Sequence, residues 1–227
     1  LAGSFFNFFF PDYCLHCETL LEPSQKYVCV NCRHDLPLTH SHKNNGQFIK
    51  KVFYGRLPLQ HAISLLYFYK GGITQDLIHQ MKYKNTPELS SFFGRWLAEE
   101  LRSCGWKNDF DVIIPVPLHK RKKRKRGYNQ VEGFGKALAE ALEIPYKDTI
   151  LKKHKNTETQ VFKTKTQRTT IKADHFSLKN VNELKGKHVL LIDDVLTTGT
   201  TLEACGSVLL QAENIKLSIA TIAITDS

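Results

Sequence analysis

Residues 189–202 read VLLIDDVLTTGTTL, and this stretch decides how the rest of the chain is understood. Val189 to Ile192 is a short apolar run between polar residues, the pattern of a central parallel strand covered on both faces. Two acids, Asp193 and Asp194, follow at its C-terminal end. Then come Thr197, Thr198, Gly199, Thr200 and Thr201, and helical spacing over residues 199–210. In open α/β sheets, ligands bind beyond the carboxyl ends of the strands. A helix N-terminus there offers unpaired N–H groups and a partial positive charge to a phosphate. Gly199 permits close backbone approach, and the threonine hydroxyls add donors. Paired carboxylates can accept hydrogen bonds from two vicinal ribose hydroxyls, and can help hold Mg²⁺ directly or through water. Each residue alone is ordinary capping or turn chemistry. The whole string is not, because two adjacent acids at a buried strand end are costly without a partner. The expectation is a strand–loop–helix that binds a ribose 5-phosphate group.

Working outward, the flanking segments alternate between strand-like and helix-like patterns. Strands are expected at 62–69 (AISLLYFY), 111–116 (DVIIPV), 188–192 and 215–224, and helices at 73–83, 87–102, 130–142 and 199–210. This alternation predicts an α/β domain, a mostly parallel sheet with helices on both faces. Residues 40–47 (HSHKNNGQ) look like a polar linker or loop, and residues 152–170 like a long basic loop. At 227 residues, the chain is long enough for one such domain plus a small module. The expected division is 1–47 for the module and 48–227 for the domain. No internal repeat is visible, and no apolar run reaches membrane-spanning length. The FFNFFF segment at 5–10 lacks the flanks of a signal peptide, so a cytoplasmic location is expected. The chain opens on Leu1 rather than methionine, so preceding residues are expected to be missing.

Four of the six cysteines form two knuckles, Cys14-x-x-Cys17 and Cys29-x-x-Cys32, eleven residues apart. Four thiolates at this spacing can close a tetrahedral structural site around Zn²⁺. So small a module has little core of its own, and the metal would supply much of its stability. Cys104 and Cys205 fall within expected helices and are expected in the core.

A second constellation lies at 114–130, where IPVPLH is followed by the cationic run KRKKRKR and then GYNQ. Seven consecutive cations cannot all face a core, so most are expected in solvent. One or two could serve a polyphosphate, and the run could equally neutralise a nucleic-acid backbone. The formal charge of +10 suits any anionic partner without choosing among them.

The string LLIDDVLTTGTTL resembles the signature of type I phosphoribosyltransferases, which bind 5-phosphoribosyl-1-pyrophosphate (PRPP). The resemblance implies that Asp193 and Asp194 take the ribose hydroxyls and that Thr197, Thr198, Gly199, Thr200 and Thr201 cradle the 5-phosphate. PVPLH together with RGYNQ is similar to the ComF group of phosphoribosyltransferase-like proteins, linked to competence and DNA uptake. That likeness implies a pyrophosphate site at Val116 and Pro117, lined or shaped by Arg126, Tyr128, Asn129 and Gln130. It implies a mobile lid carrying Lys153, Thr157, Gln160 and Arg168. Here Lys153 stands where the group has Arg, and Ile171 where it has Asn. Lys lacks the bidentate fork of Arg, so the likeness implies binding more directly than catalysis. ComF-like proteins commonly begin with a zinc ribbon, which matches the four cysteines.

Three functions follow as expectations. The first is an enzyme, a glycosyltransferase that moves the phosphoribosyl group of PRPP–Mg²⁺ to an unidentified acceptor and releases pyrophosphate. The second is a single-stranded DNA-binding protein that assists DNA uptake with partner proteins. The third is a PRPP sensor without turnover.

Overall fold

The computed structural model describes residues 12–83, 86–118, 124, 127–154 and 175–225. The first described element is a short helix, α1 (Val30–His34), capped by the Cys29 sulfur, which accepts from the Cys32 N–H. A 3₁₀ turn (Ser41–Asn44) and helix α2 (Gln47–Val52) lead into strand β1 (Leu59–Phe68). Helices α3 (Ile73–Tyr83) and α4 (Pro87–Ser103) follow. Proline at the first position, Glu88 in the first turn and Arg102 in the last suit α4 to its own dipole. Strand β2 (Val112–Pro115), helix α5 (Glu132–Leu142) and a small antiparallel pair, β3 (Leu151–Lys153) with β4 (Phe176–Leu178), come next. Strand β5 (His188–Leu196), helix α6 (Thr200–Leu209) and strand β6 (Lys216–Thr225) complete the chain.

The main sheet has the order β1-β6-β5-β2, and every neighbouring pair is parallel. Its two faces have separate apolar clusters, as alternation along β5 requires. Leu190 and Ile192 pack with Phe93, Leu97, Phe134 and Leu138 from α4 and α5. Val189 and Leu191 pack with Ile49, Phe53, Leu202 and Val208 from α2 and α6. Helices α4 and α5 approach so closely that a Cβ on Gly94 would lie 2.4 Å from the Phe134 carbonyl oxygen. The cysteine module is built into the first cluster, where Cys14, Val28, Cys29, Cys32 and Leu36 join the α4 side chains.

The expected helices and strands are all present, with five differences. Strand β5 runs on through Leu196, so Asp193 and Asp194 lie inside the strand rather than after it. Pairing with β6 continues past them, from Asp193 opposite Thr221 to Leu196 opposite Ile224, and this backbone ladder outweighs their polarity. Residues 40–47 are no bare linker: Ser41 and His42 are buried and Gln47 starts α2. Buried polar groups, Ser41 satisfied by Ser64 of β1 and His42 by Glu100 of α4, hide the packing from a hydrophobicity pattern. Lys152 and Lys153 belong to β3 rather than to a loop, while 155–174 lie outside the described residues. Cys104 sits at the C-terminal cap of α4, only partly buried, whereas Cys205 is fully buried. Helix α5 begins at Glu132, two residues later than its spacing predicts.

Candidate functional site

The carboxyl ends of β2 and β5 open onto a cleft of about 220 Å³. Its walls include Val116 and Pro117 from the end of β2, Asn129 and Gln130 before α5, and Asp193, Asp194 and Thr201. Lys153 from the end of β3 and Lys82 from the last turn of α3 bring two cations to the same space. Beside it lies a cup of about 40 Å³ formed by Asp193 and residues 195–202. At roughly 10–15 Å³ per water-sized group, the cup holds about three such groups, the scale of a phosphate's free oxygens.

The two acids are held differently. Asp194 is buried and well partnered: its Oδ2 accepts from Gln130 Nε2 at 2.7 Å and faces Lys82 Nζ at 2.8 Å. Its Oδ1 accepts the Val195 N–H at 2.7 Å. Asp193 is half-buried, and its Oδ1 accepts the Asp194 N–H at 2.9 Å. Burial, then the neighbouring Asp194 charge, push the Asp193 carboxyl up to about 8. The cleft thus contains one acid paired with a lysine and one acid that, among the described residues, makes no ion pair, which suits a ligand that brings hydroxyl donors or a cation.

The threonine loop is braced from behind. Gly199 has φ +74°, and a Cβ there would meet the Phe53 ring at 2.8 Å, so both conformation and space call for glycine. Arg56 stacks over Phe53, donates to Glu203 at 2.7 Å and reaches the Thr198 carbonyl at 3.5 Å. Thr198 and Thr200 hydroxyls are 2.8 Å apart. Thr197, Thr198 and Thr201 are exposed, and Thr200 is half-buried at the start of α6. On the other wall, Asn129 donates to the Val116 carbonyl at 3.3 Å, and the Tyr128 hydroxyl donates to the Met81 carbonyl. These bonds tie the segment before α5 to β2 and α3.

Of the residues expected at the site, Val116, Pro117, Asn129, Lys153, Asp193, Asp194 and the 197–201 loop come together. Arg126, Thr157, Gln160 and Arg168 lie outside the described residues. Lys82 and Arg56 are additions. Lys82 looks in sequence like a basic residue at a helix end, and Arg56 lies 142 residues before the Thr198 carbonyl it contacts, so neither carries a local signal.

The second cluster is the four cysteines. Their sulfurs all lie within 4.8 Å of one another, and Cys17 Sγ is 3.6 Å from Cys29 Sγ. A tetrahedral zinc with bonds of about 2.3 Å separates its sulfurs by about 3.8 Å. The donor set therefore fits a four-thiolate metal, and none of the six cysteines is in a disulfide. Thr19 hydrogen bonds hold the exposed Cys17 thiol down at about 6, favouring the thiolate a metal needs.

Fold and sequence comparison converge on the type I phosphoribosyltransferase fold: the model for the phosphoribosyl transferase domain matches residues 132–227. The chain belongs to the ComF family. The DNA utilization protein YhgH of Salmonella typhimurium is 30% identical over 192 residues, covering 81% of this chain and 78% of that protein. Competence protein F of Haemophilus influenzae is 28% identical over 222 residues, covering 91% of this chain and 92% of that protein. Among solved structures, the glutamine PRPP amidotransferase of B. subtilis, complexed with ADP and GMP, is 21% identical with a TM-score of 0.43. That match covers 62% of this chain and 30% of that one. Among the described residues, no helix is long and apolar enough to cross a membrane.

Proposed function

We propose that the chain binds PRPP with Mg²⁺ in the β2–β5 cleft and transfers its phosphoribosyl group to an acceptor, releasing pyrophosphate. One observation carries this reading: a cleft with two acids of unlike charge balance and two lysines adjoins the threonine cup at a helix N-terminus, with Asp193 and Thr201 lining both. The Thr197–Thr201 loop would take the 5-phosphate through the N–H groups at the start of α6. Asp193 and Asp194 would accept from the ribose hydroxyls, with Lys82 and Gln130 keeping Asp194 in place. Val116, Pro117 and Lys153 would face the pyrophosphate, and Arg126, Gln160 and Arg168 are proposed to assist from the basic segments. Mg²⁺ bound with the ligand would neutralise the leaving pyrophosphate, the main source of rate in such a displacement. The four cysteines are proposed to hold one structural Zn²⁺. The division at residue 47 is kept as a proposal, with the two parts sharing one apolar cluster. A cytoplasmic location belongs to the same reading.

A second reading rests on the relatives' names, a DNA utilization protein and a competence protein. In it the chain handles single-stranded DNA with partner proteins, through the cationic run at 120–126, and uses the cleft as a PRPP sensor or for the ribose phosphate of a strand end. Titrating wild type and Asp193→Ala/Asp194→Ala with PRPP–Mg²⁺ and with single-stranded DNA separates the two. The first reading expects PRPP binding to vanish in the double variant and wild type to release pyrophosphate once an acceptor is found. Wild-type PRPP binding in the double variant would remove the acids from the site. DNA binding that survives the double variant and falls on neutralising 120–126, with a steep salt dependence, favours the second reading on a separate surface.

A further inference from the structure

We propose that His40, His42 and Glu100 form a second metal site, separate from the four cysteines, for a divalent cation of the zinc, cobalt and nickel class. The three side chains bring a ring nitrogen or carboxylate oxygen each to within 4.8 Å of one another. His42 Nε2 lies 3.1 Å from Glu100 Oε2. Metal bonds of about 2.0–2.2 Å to nitrogen and oxygen place tetrahedral ligands about 3.4 Å apart. The His42–Glu100 pair, at 3.1 Å, is slightly closer than that separation, and His40 beside it is exposed.

The backbone that carries the histidines is fixed on both sides. Ser41 Oγ donates to the Ser64 carbonyl at 2.9 Å and accepts the Ser64 N–H at 3.0 Å. The Thr39 N–H donates to the Leu65 carbonyl at 3.0 Å, so β1 anchors the turn on either side of His40. His40 itself is held at φ +49°, a left-handed conformation with no glycine to ease it. Glu100 is oriented too: Trp96 Nε1 donates to its Oε1 at 3.3 Å, leaving Oε2 toward the histidine. An outer hydrogen bond of this kind fixes a ligand's direction and raises metal affinity. A buried hydrogen bond alone would account for His42 and Glu100, but not for His40 beside them. Two imidazoles favour zinc-class cations over Mg²⁺ or Ca²⁺. Three protein ligands leave a further position for water. The ion would clamp the turn between the cysteine module and the sheet to α4.

The test uses full-length protein loaded with Zn²⁺, desalted and assayed for metal per chain, with His40→Asn and Glu100→Gln as variants. Asparagine tolerates the left-handed backbone and glutamine keeps an acceptor for Trp96, so both should fold. A Cys14→Ser variant serves as the reciprocal control. The proposal expects two zinc ions per wild-type chain and one in each of the first two variants, with second-site affinity at least about tenfold weaker. In Cys14→Ser the histidine site should stay filled. With Co²⁺ as probe, the wild-type minus His40→Asn difference spectrum should show a weak ligand-field band without thiolate charge transfer. One zinc per wild-type chain, two retained in both variants, or a difference spectrum dominated by thiolate bands would overturn it.

Discussion

Asp193→Asn should stabilise the ligand-free protein while destroying its binding of PRPP. The Asp193 carboxyl is pushed up to about 8 by burial and by the Asp194 charge, against an ordinary value of 3.8. The folded state therefore binds a proton that the unfolded chain has released, and stability falls as pH rises from about 4 to about 8. At about 1.36 kcal/mol per pKa unit, the full cost at pH 7 is about 4 kcal/mol. Solvent reaching the half-buried carboxyl screens part of that, and about 1–2 kcal/mol is the expected gain from a neutral side chain of the same shape. For a chain of this size each kcal/mol moves Tm by about 2–4 °C. The assay is thermal unfolding of wild type and variant without added Mg²⁺ or PRPP, between pH 5 and 8. The variant's advantage should grow with pH and nearly vanish toward pH 4. A destabilised variant, or a gain independent of pH, would refute the reasoning that Asp193 is held at a cost for ligand binding.

Gly199→Ala should cost about 1–3 kcal/mol, from the left-handed backbone and the Phe53 contact, and weaken PRPP binding; denaturant unfolding with a binding titration checks both. Lys82→Ala should leave Asp194 without its cation, raising the PRPP dissociation constant at least about tenfold, and unchanged affinity would place Lys82 outside the site. Acid should destabilise the fold through His61 and His188, whose pKa values burial lowers against the pull of Asp109. Both are neutral in the fold, with Lys50, Lys216 and Asp111 also acting on the pair. Their contribution is intact above about 6.5 and is lost as pH falls through the folded values, so Tm should drop below pH 6.5 less steeply in His61→Gln. Cys14→Ser should remove one zinc per chain and make residues 12–36 protease-sensitive, whereas unchanged zinc content would exclude the cysteines as ligands.

The strand–acid–acid–threonine string was legible because its chemistry is local: the apolar run, the two acids and the helix start lie in fourteen consecutive residues. The cysteine knuckles were legible for the same reason. What joins distant segments was not. Lys82 meets Asp194 only through packing of α3 beside the sheet, and Arg56 meets Thr198 only because Val52 and Phe53 at the end of α2 pack against Gly199. The turn at 40–46 resembles a linker or loop in sequence because its buried side chains, Ser41 and His42, are polar and are satisfied by Ser64 of β1 and Glu100 of α4, which no hydrophobic period reveals. The length of β5 was underestimated because pairing with β6, rather than side-chain character, carries the ladder through the acids.

In the proposed function a 5-phosphate sits on the loop of Thr197 to Thr201 at the start of α6. Amide chemical shifts of the ¹⁵N-labelled protein, followed while PRPP–Mg²⁺ is added, test it most directly. Saturable shifts should be largest for the Thr198, Gly199, Thr200 and Thr201 amides, with smaller ones at Asp193 and Asp194. Saturable PRPP binding that leaves those amides unmoved, or no binding at all, would contradict it.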